Sequence, residues 1–290
     1  MPDFVPTFDP QPSRPQLALP AGACDAHVHV FGPVARFPFA PESPLRPGDA
    51  PKETLFALHR QLGVERCVIV QSLVHGLDNS AVEDAVAAGG GRYLGVALVA
   101  LEVSEVELKR LADAGFRGVR FNFMSAEQAS TAGQVIALTR RLAPLGLHLQ
   151  VQLEGRLIGD LAPLLKQSAV PVVIDHMARL DAALGVDQPG FRVLCRLLED
   201  PRFHVKVSGA DRLSPPPYAA GAALARGLVD NFPDRCFWGT DWPHPFHDHV
   251  PDDGVLVDLL AGIAPTAAAR QALLVDNPQR FYRFEDLPPR

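Results

Sequence analysis

From residue 22 onward the chain repeats one pattern eight times: a short apolar run, then a stretch with helical periodicity. The runs span 22–27, 66–71, 93–98, 116–121, 147–152, 170–175, 203–207 and 235–238. Helical spacing follows at 53–62, 80–88, 104–114, 126–142, 157–167, 190–198 and 218–231, with two closing segments at 255–262 and 266–275. Ser104 reads as an N-cap and Gly115 as the residue past its helix. The runs are apolar throughout rather than alternating, as parallel strands buried on both faces are. Eight such units predict a (β/α)8 TIM barrel. The rival is an open, doubly wound sheet. It lacks support because no G-x-G-x-x-G follows the first run. Gly89–Gly91 follow a helix and precede a strand, so they read as a flexible connection.

Two stretches stand outside the pattern. Residues 1–20 hold six prolines and read as an extended arm, ahead of a single barrel domain over 21–290. The 33–52 loop holds six more, with Arg36 and Arg46, and a loop of that length is usually functional. Of the residues, 47% are hydrophobic, enough for a large core. A net charge of -6 argues against nucleic acid as a partner, yet local arginines can still receive a small anion. The four cysteines form no framework, which predicts reduced thiols and a cytoplasmic protein. There is no signal peptide, and no apolar run reaches the ~18 residues of a membrane span. Oligomeric state is not readable.

In such a barrel the chemistry collects at the C-terminal ends of the strands. There the chain places His27 and His29, Ser72 and His75, Arg120 and Asn122, Gln152 and Glu154, His176 and Arg179, Ser208 and Arg212, and Asp241 with Trp242 and His244. His27 and His29 alone are a weak H-x-H motif, fit either for a metal or for polarising a substrate oxygen. His59, His148 and His204 fall inside elements and read as ordinary. His244, His247 and His249 follow a proline-broken turn with spacing poor for one metal, and His244 reads as orienting Asp241 or the loop backbone. Trp242 reads as packing, and Glu154 as the partner of a neighbouring arginine.

The H-x-H of DAHVHVFGP, the IDHM at 174–177 and the WGTDWPHP at 238–245 resemble the amidohydrolase superfamily, and within it the lactonase branch. RFPFAP, FALHRQLG, HGLDN, RGVRFNF, ADRL, VPDDG and NPQRFY extend the resemblance over nearly the whole chain. It implies hydrolysis of a small anionic lactone, with Asp241 as the general base and His27, His29 and His176 around the carbonyl oxygen. Arg120, Arg179 and Arg212 would clamp acidic groups, with Ser72 and His75 lining the pocket. His27, His29, His176 and Asp241 could hold one zinc ion. A bridging lysine for a second metal is missing where Arg120 stands, and the expectation is that no metal is required. The chain departs from the branch at three substrate positions: Leu45 replaces a tyrosine, MSAEQ lacks an arginine, and Gln152 replaces a second tyrosine. Arg46 could supply a replacement cation. The departures leave the substrate open among pyrone dicarboxylate, sulfomuconolactone and sugar-acid lactones. A decarboxylase or hydratase of the same superfamily, and a non-catalytic anion-binding barrel, are the rival readings.

Overall fold

The computed structural model describes residues 5–43 and 45–285. Eight parallel strands run in sequence order: β1 (Cys24–Val28), β2 (Arg66–Val70), β3 (Tyr93–Leu98), β4 (Phe116–Phe123), β5 (His148–Leu153), β6 (Val172–Ile174), β7 (Phe203–Lys206) and β8 (Cys236–Phe237). Backbone hydrogen bonds from Ala26 to Trp238 (2.8 Å), Asp241 to His27 (2.9 Å) and His29 to Trp242 (2.6 Å) bring the two ends of the sheet together along a seam. The fold is the (β/α)8 barrel that the repeating pattern implies. Gly239 lies on this seam, where a Cβ would come within 2.7 Å of His27 Cβ and backbone N, so only glycine lets the two strands approach.

The connections carry α1 (Lys52–Leu62), α2 (Ser80–Ala88), α3 (Glu105–Asp113), α4 (Ala126–Ser130), α5 (Ala132–Leu142), α6 (Ile158–Leu165), α7 (Pro189–Leu198), α8 (Ala210–Leu213) and α9 (Ala219–Asn231). After β8 come α10 (Asp253–Asp258), α11 (Leu260–Ile263), α12 (Ala267–Gln271) and α13 (Asn277–Tyr282). Ser104 caps α3 by accepting from the Glu107 amide (3.1 Å). The single helix expected over 126–142 is two, divided at Thr131. The last helical segment continues through a wide turn at 272–276 into α13.

Two apolar layers result. Leu55, Val82, Leu108, Leu194 and Leu228 from the helices pack on outward residues such as Cys67, Ile69 and Val205. Inside the ring, Cys24, Ala26, Val68, Val70, Leu94, Val96, Val173 and Phe237 form a second cluster, closed at one end by Tyr282 and Phe284. Burying this much aliphatic surface, at roughly 25 cal/mol per Å², holds the strand ends in fixed register. Residues 5–23 contain no helix or strand and lie along the outside. Ser13 bonds Asp252, the Gln16 and Leu17 amides bond Asp258, and Phe8 packs 5.1 Å from Trp242. No helix among the described residues is long and apolar enough to cross a membrane. All four cysteines are unbridged.

Candidate active site

Between Asp25 and Val28 the pairing with β2 slips: three residues on β1 advance against two on its partner. A bulge re-aims side chains. Here Ala26 joins the interior cluster while the adjacent His27 reaches the strand ends. After β6 the chain makes a left-handed turn, with φ of 48, 52, 58 and 48° at His176, Met177, Ala178 and Arg179. Asp241, after β8, is also left-handed at 68°. Such conformations cost on the order of 1 kcal/mol each for L-residues and cluster at functional sites. Gly155 makes the turn fit, since a Cβ there would stand 2.8 Å from the Arg179 carbonyl.

The strain serves a convergence. Three imidazole Nε2 atoms face one oxygen, Asp241 Oδ1: His29 at 3.3 Å, His27 at 3.6 Å and His176 at 3.8 Å. Each ring is fixed from behind. His29 Nδ1 donates to the Val70 carbonyl (2.6 Å). His176 Nδ1 pairs with Ser208 Oγ (2.9 Å). His27 Nδ1 lies 3.3 Å from both Lys206 Nζ and Asp175 Oδ1. Lys206, on β7, is fully buried and donates to Gln150 Oε1 (2.8 Å). Asp175 Oδ2 in turn accepts from Arg120 Nε (2.8 Å) and Gln150 (3.1 Å). A closed ionic floor thus underlies the histidines.

Electrostatics follow from this packing. Burial, reinforced by Lys206, pulls the His27 pKa down to about 4. Burial also holds His176 well below its usual value. Burial alone would raise Asp241. His176, the Arg212 guanidinium and hydrogen bonds from His247 and His29 reverse this and hold the carboxyl well below the ordinary range. Burial lowers Lys206 to about 8, against the pull of Asp175. The site therefore presents an ionised carboxylate to two rings, His27 and His176, that resist protonation.

Above it opens a cavity of about 270 Å³, lined by His29, Ser72, Arg120, Asn122, Gln152, His176, Arg179, Arg212, Asp241 and Phe246, among others. A larger hollow of about 810 Å³, bordered by Phe56, His59, Arg60, Glu65, Arg92 and Tyr93, lies at the other end of the barrel, before β2 and β3. Within the lined cavity the arginines differ. Arg212 Nη2 holds Asp241 Oδ2 at 2.8 Å. Arg120 is committed to Asp175 and, through Nη2, to Gln152 Oε1 (2.7 Å). Among the described residues Arg179 has only Glu154, at 3.9 Å.

The sequence profile of the amidohydrolase family matches residues 24–284. The chain belongs to that family. The 2-pyrone-4,6-dicarboxylate hydrolase of Comamonas testosteroni is 45% identical over 289 residues, 95% of each chain. The 4-sulfomuconolactone hydrolase of Hydrogenophaga intermedia is 38% identical over 274 residues, 92% of this chain and 90% of that one. A solved candidate 2-pyrone-4,6-dicarboxylic acid hydrolase from Pseudomonas putida superposes with a TM-score of 0.83 at 31% identity, covering 93% of this chain and 100% of the other.

In this amidohydrolase most of the residues singled out from sequence meet at one place, and two do not. Arg46 is exposed and bonds the Pro41 carbonyl (3.1 Å), since its loop runs along the outside. His75 spends both ring nitrogens on backbone, with Nδ1 at the Pro38 carbonyl (3.0 Å) and Nε2 accepting from the Gly32 amide (3.2 Å). It ties two loops together, and neither residue lines the cavity. The His244 ring does not reach the Asp241 carboxylate and pairs with buried Asp253 (3.1 Å), while the His244 amide donates to the Asp241 carbonyl (2.8 Å). His247 takes that place, with Nε2 3.2 Å from Asp241 Oδ2. Trp242 is buried packing. His59 pairs with Tyr93 (2.9 Å).

The amidohydrolase also has an interior that sequence reading passed over. Lys206, Asp175 and Gln150 fall inside the apolar runs 203–207, 170–175 and 147–152. A lysine between Val205 and Val207 in a buried strand was the available signal, because an interior cation must have partners. His27, His176 and Asp241 can also hold one metal ion: their donor atoms lie within 4.8 Å of one another. The Nε2 atom of His27 is buried without a hydrogen-bond partner among the described residues. Donors at ~2.0–2.1 Å from a tetrahedral ion stand about 3.4 Å apart, so the spacing fits.

Proposed function

We propose that this amidohydrolase hydrolyses lactones bearing carboxylate or sulfonate groups. The observation that carries the reading is the convergence of three imidazole Nε2 atoms on Asp241 Oδ1 at the floor of an arginine-lined cavity. Its closest chemical support is the 45% relative that acts on a pyrone dicarboxylate. Arg212 occupies Oδ2 and leaves Oδ1 to face a water. Asp241, ionised at neutral pH, takes a proton from that water as the new C–O bond forms at the lactone carbonyl. Negative charge developing on the carbonyl oxygen is stabilised by Nε2–H groups of His27 and His176, whose Nδ1 atoms accept from Lys206 and Ser208. Asp241 then returns the proton to the ring oxygen as the ester C–O bond breaks, releasing an acid and an enol or alcohol.

Arg179 receives an acidic group of the substrate, because its guanidinium is the least committed in the cavity. Ser72 and Asn122 complete the cradle, and Arg120 with Gln152 forms its wall. A divalent ion held by His27, His176 and Asp241, with His29 beside it, would polarise the carbonyl. Arg212 pairs directly with Asp241 and Arg179 lines the same cavity, and this positive charge disfavours a dication there. We read the reaction as metal-independent. The unbridged cysteines support a reducing compartment, the cytoplasm.

The 38% relative keeps a sulfonated muconolactone as the second substrate class. A panel of pyrone dicarboxylate, sulfomuconolactone, muconolactones and aldonolactones, followed by proton release, tests the reading. Turnover with release of an acid is expected for at least one lactone bearing an acidic group. Carbon dioxide release would point to decarboxylation, and ligand binding without turnover to an anion-binding barrel; either result overturns the proposal.

A further inference from the structure

Beside the central cluster, on the rim formed by the loops after β7 and β8, four buried polar atoms lie together unsatisfied. They are Asp211 Oδ1 and Oδ2, His247 Nδ1 and His249 Nε2, none of which has a hydrogen-bond partner among the described residues. Asp211 is only 3% exposed. His247 Nδ1 stands 3.0 Å and His249 Nε2 3.5 Å from Asp211 Oδ2, close but not aligned for hydrogen bonds. A buried carboxylate without hydrogen bonds is costly, so its surroundings call for an explanation.

The far sides of the two rings supply one. His247 Nε2 lies 3.2 Å from Asp241 Oδ2, and His249 Nδ1 lies 2.8 Å from Asp248 Oδ1. An ionised carboxylate only accepts, so both outer nitrogens must donate. In the neutral rings His247 Nδ1 and His249 Nε2 are then lone pairs, and both are turned toward Asp211. A metal ion entering between these atoms displaces any proton that the flanking carboxylates favour on His247 Nδ1. Rings held from behind by carboxylates, with the free nitrogens facing a common point, are the arrangement of metal-ligating histidines. All three donor atoms lie within 4.8 Å of one another, and the 3.0–3.5 Å spacings match the ~3.4 Å edge of a tetrahedral zinc site. Three carboxylates, Asp211, Asp241 and Asp248, surround the point, against one adjacent guanidinium, Arg212.

We propose that Asp211, His247 and His249 bind one divalent transition-metal ion of the zinc class, at a site separate from the His27–His29–His176–Asp241 cluster. Two imidazole nitrogens and a carboxylate suit Zn²⁺ over the hard cations Mg²⁺ and Ca²⁺, which take all-oxygen shells. Three protein donors leave a coordination position for solvent. Occupancy would pin His247 against Asp241 and fix the 244–249 loop, whose Pro245 and Phe246 line the mouth of the cavity. The site stands independently of the reaction proposed above.

Zinc-soaked crystals of the full chain, read for anomalous scattering at the zinc edge, test this, together with calorimetric titration of Zn²⁺ into chelator-treated protein. The expected result is an anomalous peak between Asp211, His247 and His249. H249A and the near-isosteric D211N should each lose that peak and one equivalent of bound zinc. His249 is partly exposed on a loop, so H249A should fold, and the wild-type map decides the question without any variant. No peak at this position at saturating zinc, a peak at the central cluster alone, or unchanged stoichiometry in both variants would overturn the proposal.

Discussion

The rings of His27, His29 and His176 approach Asp241 Oδ1 from the barrel wall, whereas His247 approaches Oδ2 from a loop. The two sides of one carboxylate are differently charged. On the wall side, Lys206 and Arg120 stand behind the histidines, and His27 and His176 are driven toward the neutral form by burial. On the loop side burial also opposes protonation of His247, but Asp211 and Asp241 outweigh it and raise its pKa. Position in the fold explains the contrast. Strand ends hold rings rigidly enough to face a substrate oxygen. A loop rich in carboxylates favours positive charge on its ring. The same residue type thus performs opposite electrostatic tasks within a few ångströms, according to which charges the neighbouring elements contribute.

The sharpest way to break this comparison is at the shared group. D241N should lower turnover about a thousandfold or more in steady-state assays, because the amide cannot take the proton. Turnover within tenfold of wild type would remove Asp241 as the base. Next in size is R179A. Losing the least committed cation should cost about 2 kcal/mol or more, roughly thirtyfold in kcat/KM, and mainly through KM. An unchanged KM would move the acid-binding task to another arginine.

A third measurement separates acid effects on the site from acid unfolding. At the opposite end of the barrel, burial and Lys206 lower His148 to about 3, while burial and Arg235 lower His204 to about 4. The unfolded chain takes up these protons near pH 6.5 and the folded chain only below about 4. The unfolded state therefore binds more protons in between, and stability falls as pH drops through that window. Denaturant melts should show a loss of about 2 kcal/mol per histidine at pH 5 relative to pH 7.5. H204F should flatten the slope; an unchanged slope would place the acid sensitivity elsewhere. The smallest effect is expected from metal removal. Chelation should leave turnover within about twofold. Complete loss restored by zinc would transfer the metal function to the central cluster and erase the distinction drawn between the two sides.

Much of this was legible in the chain. The eight runs fix the barrel because parallel strands advertise themselves as unbroken apolar segments. His27, His176 and Asp241 were legible for a related reason: a strand end is easy to locate, and barrel topology brings all such ends together. The interior network was hidden by the same apolar text. Lys206 looks like an interruption in FHVKV until β5 and β6 place Gln150 and Asp175 against it. The Asp211–His247–His249 group was less accessible still. Its members come from two loops whose conformations follow no period, and His247–His249 spacing alone says little until Asp211 arrives from the other loop. His75, in the HGLDN motif, and Arg46, in the proline-rich loop, show the converse, since both turn toward backbone.

The seam between β1 and β8 has a consequence for how the molecule comes into being. His27 lies near the beginning of the chain and Asp241 near its end, and the Asp241 amide bonding the His27 carbonyl is one of the bonds that shuts the ring. During synthesis the histidines of β1 therefore wait for more than 200 residues before their carboxylate emerges. The last step of assembly and the first moment of competence coincide. A growing chain cannot expose a half-built reactive centre to the cell, because closure of the barrel is what creates it.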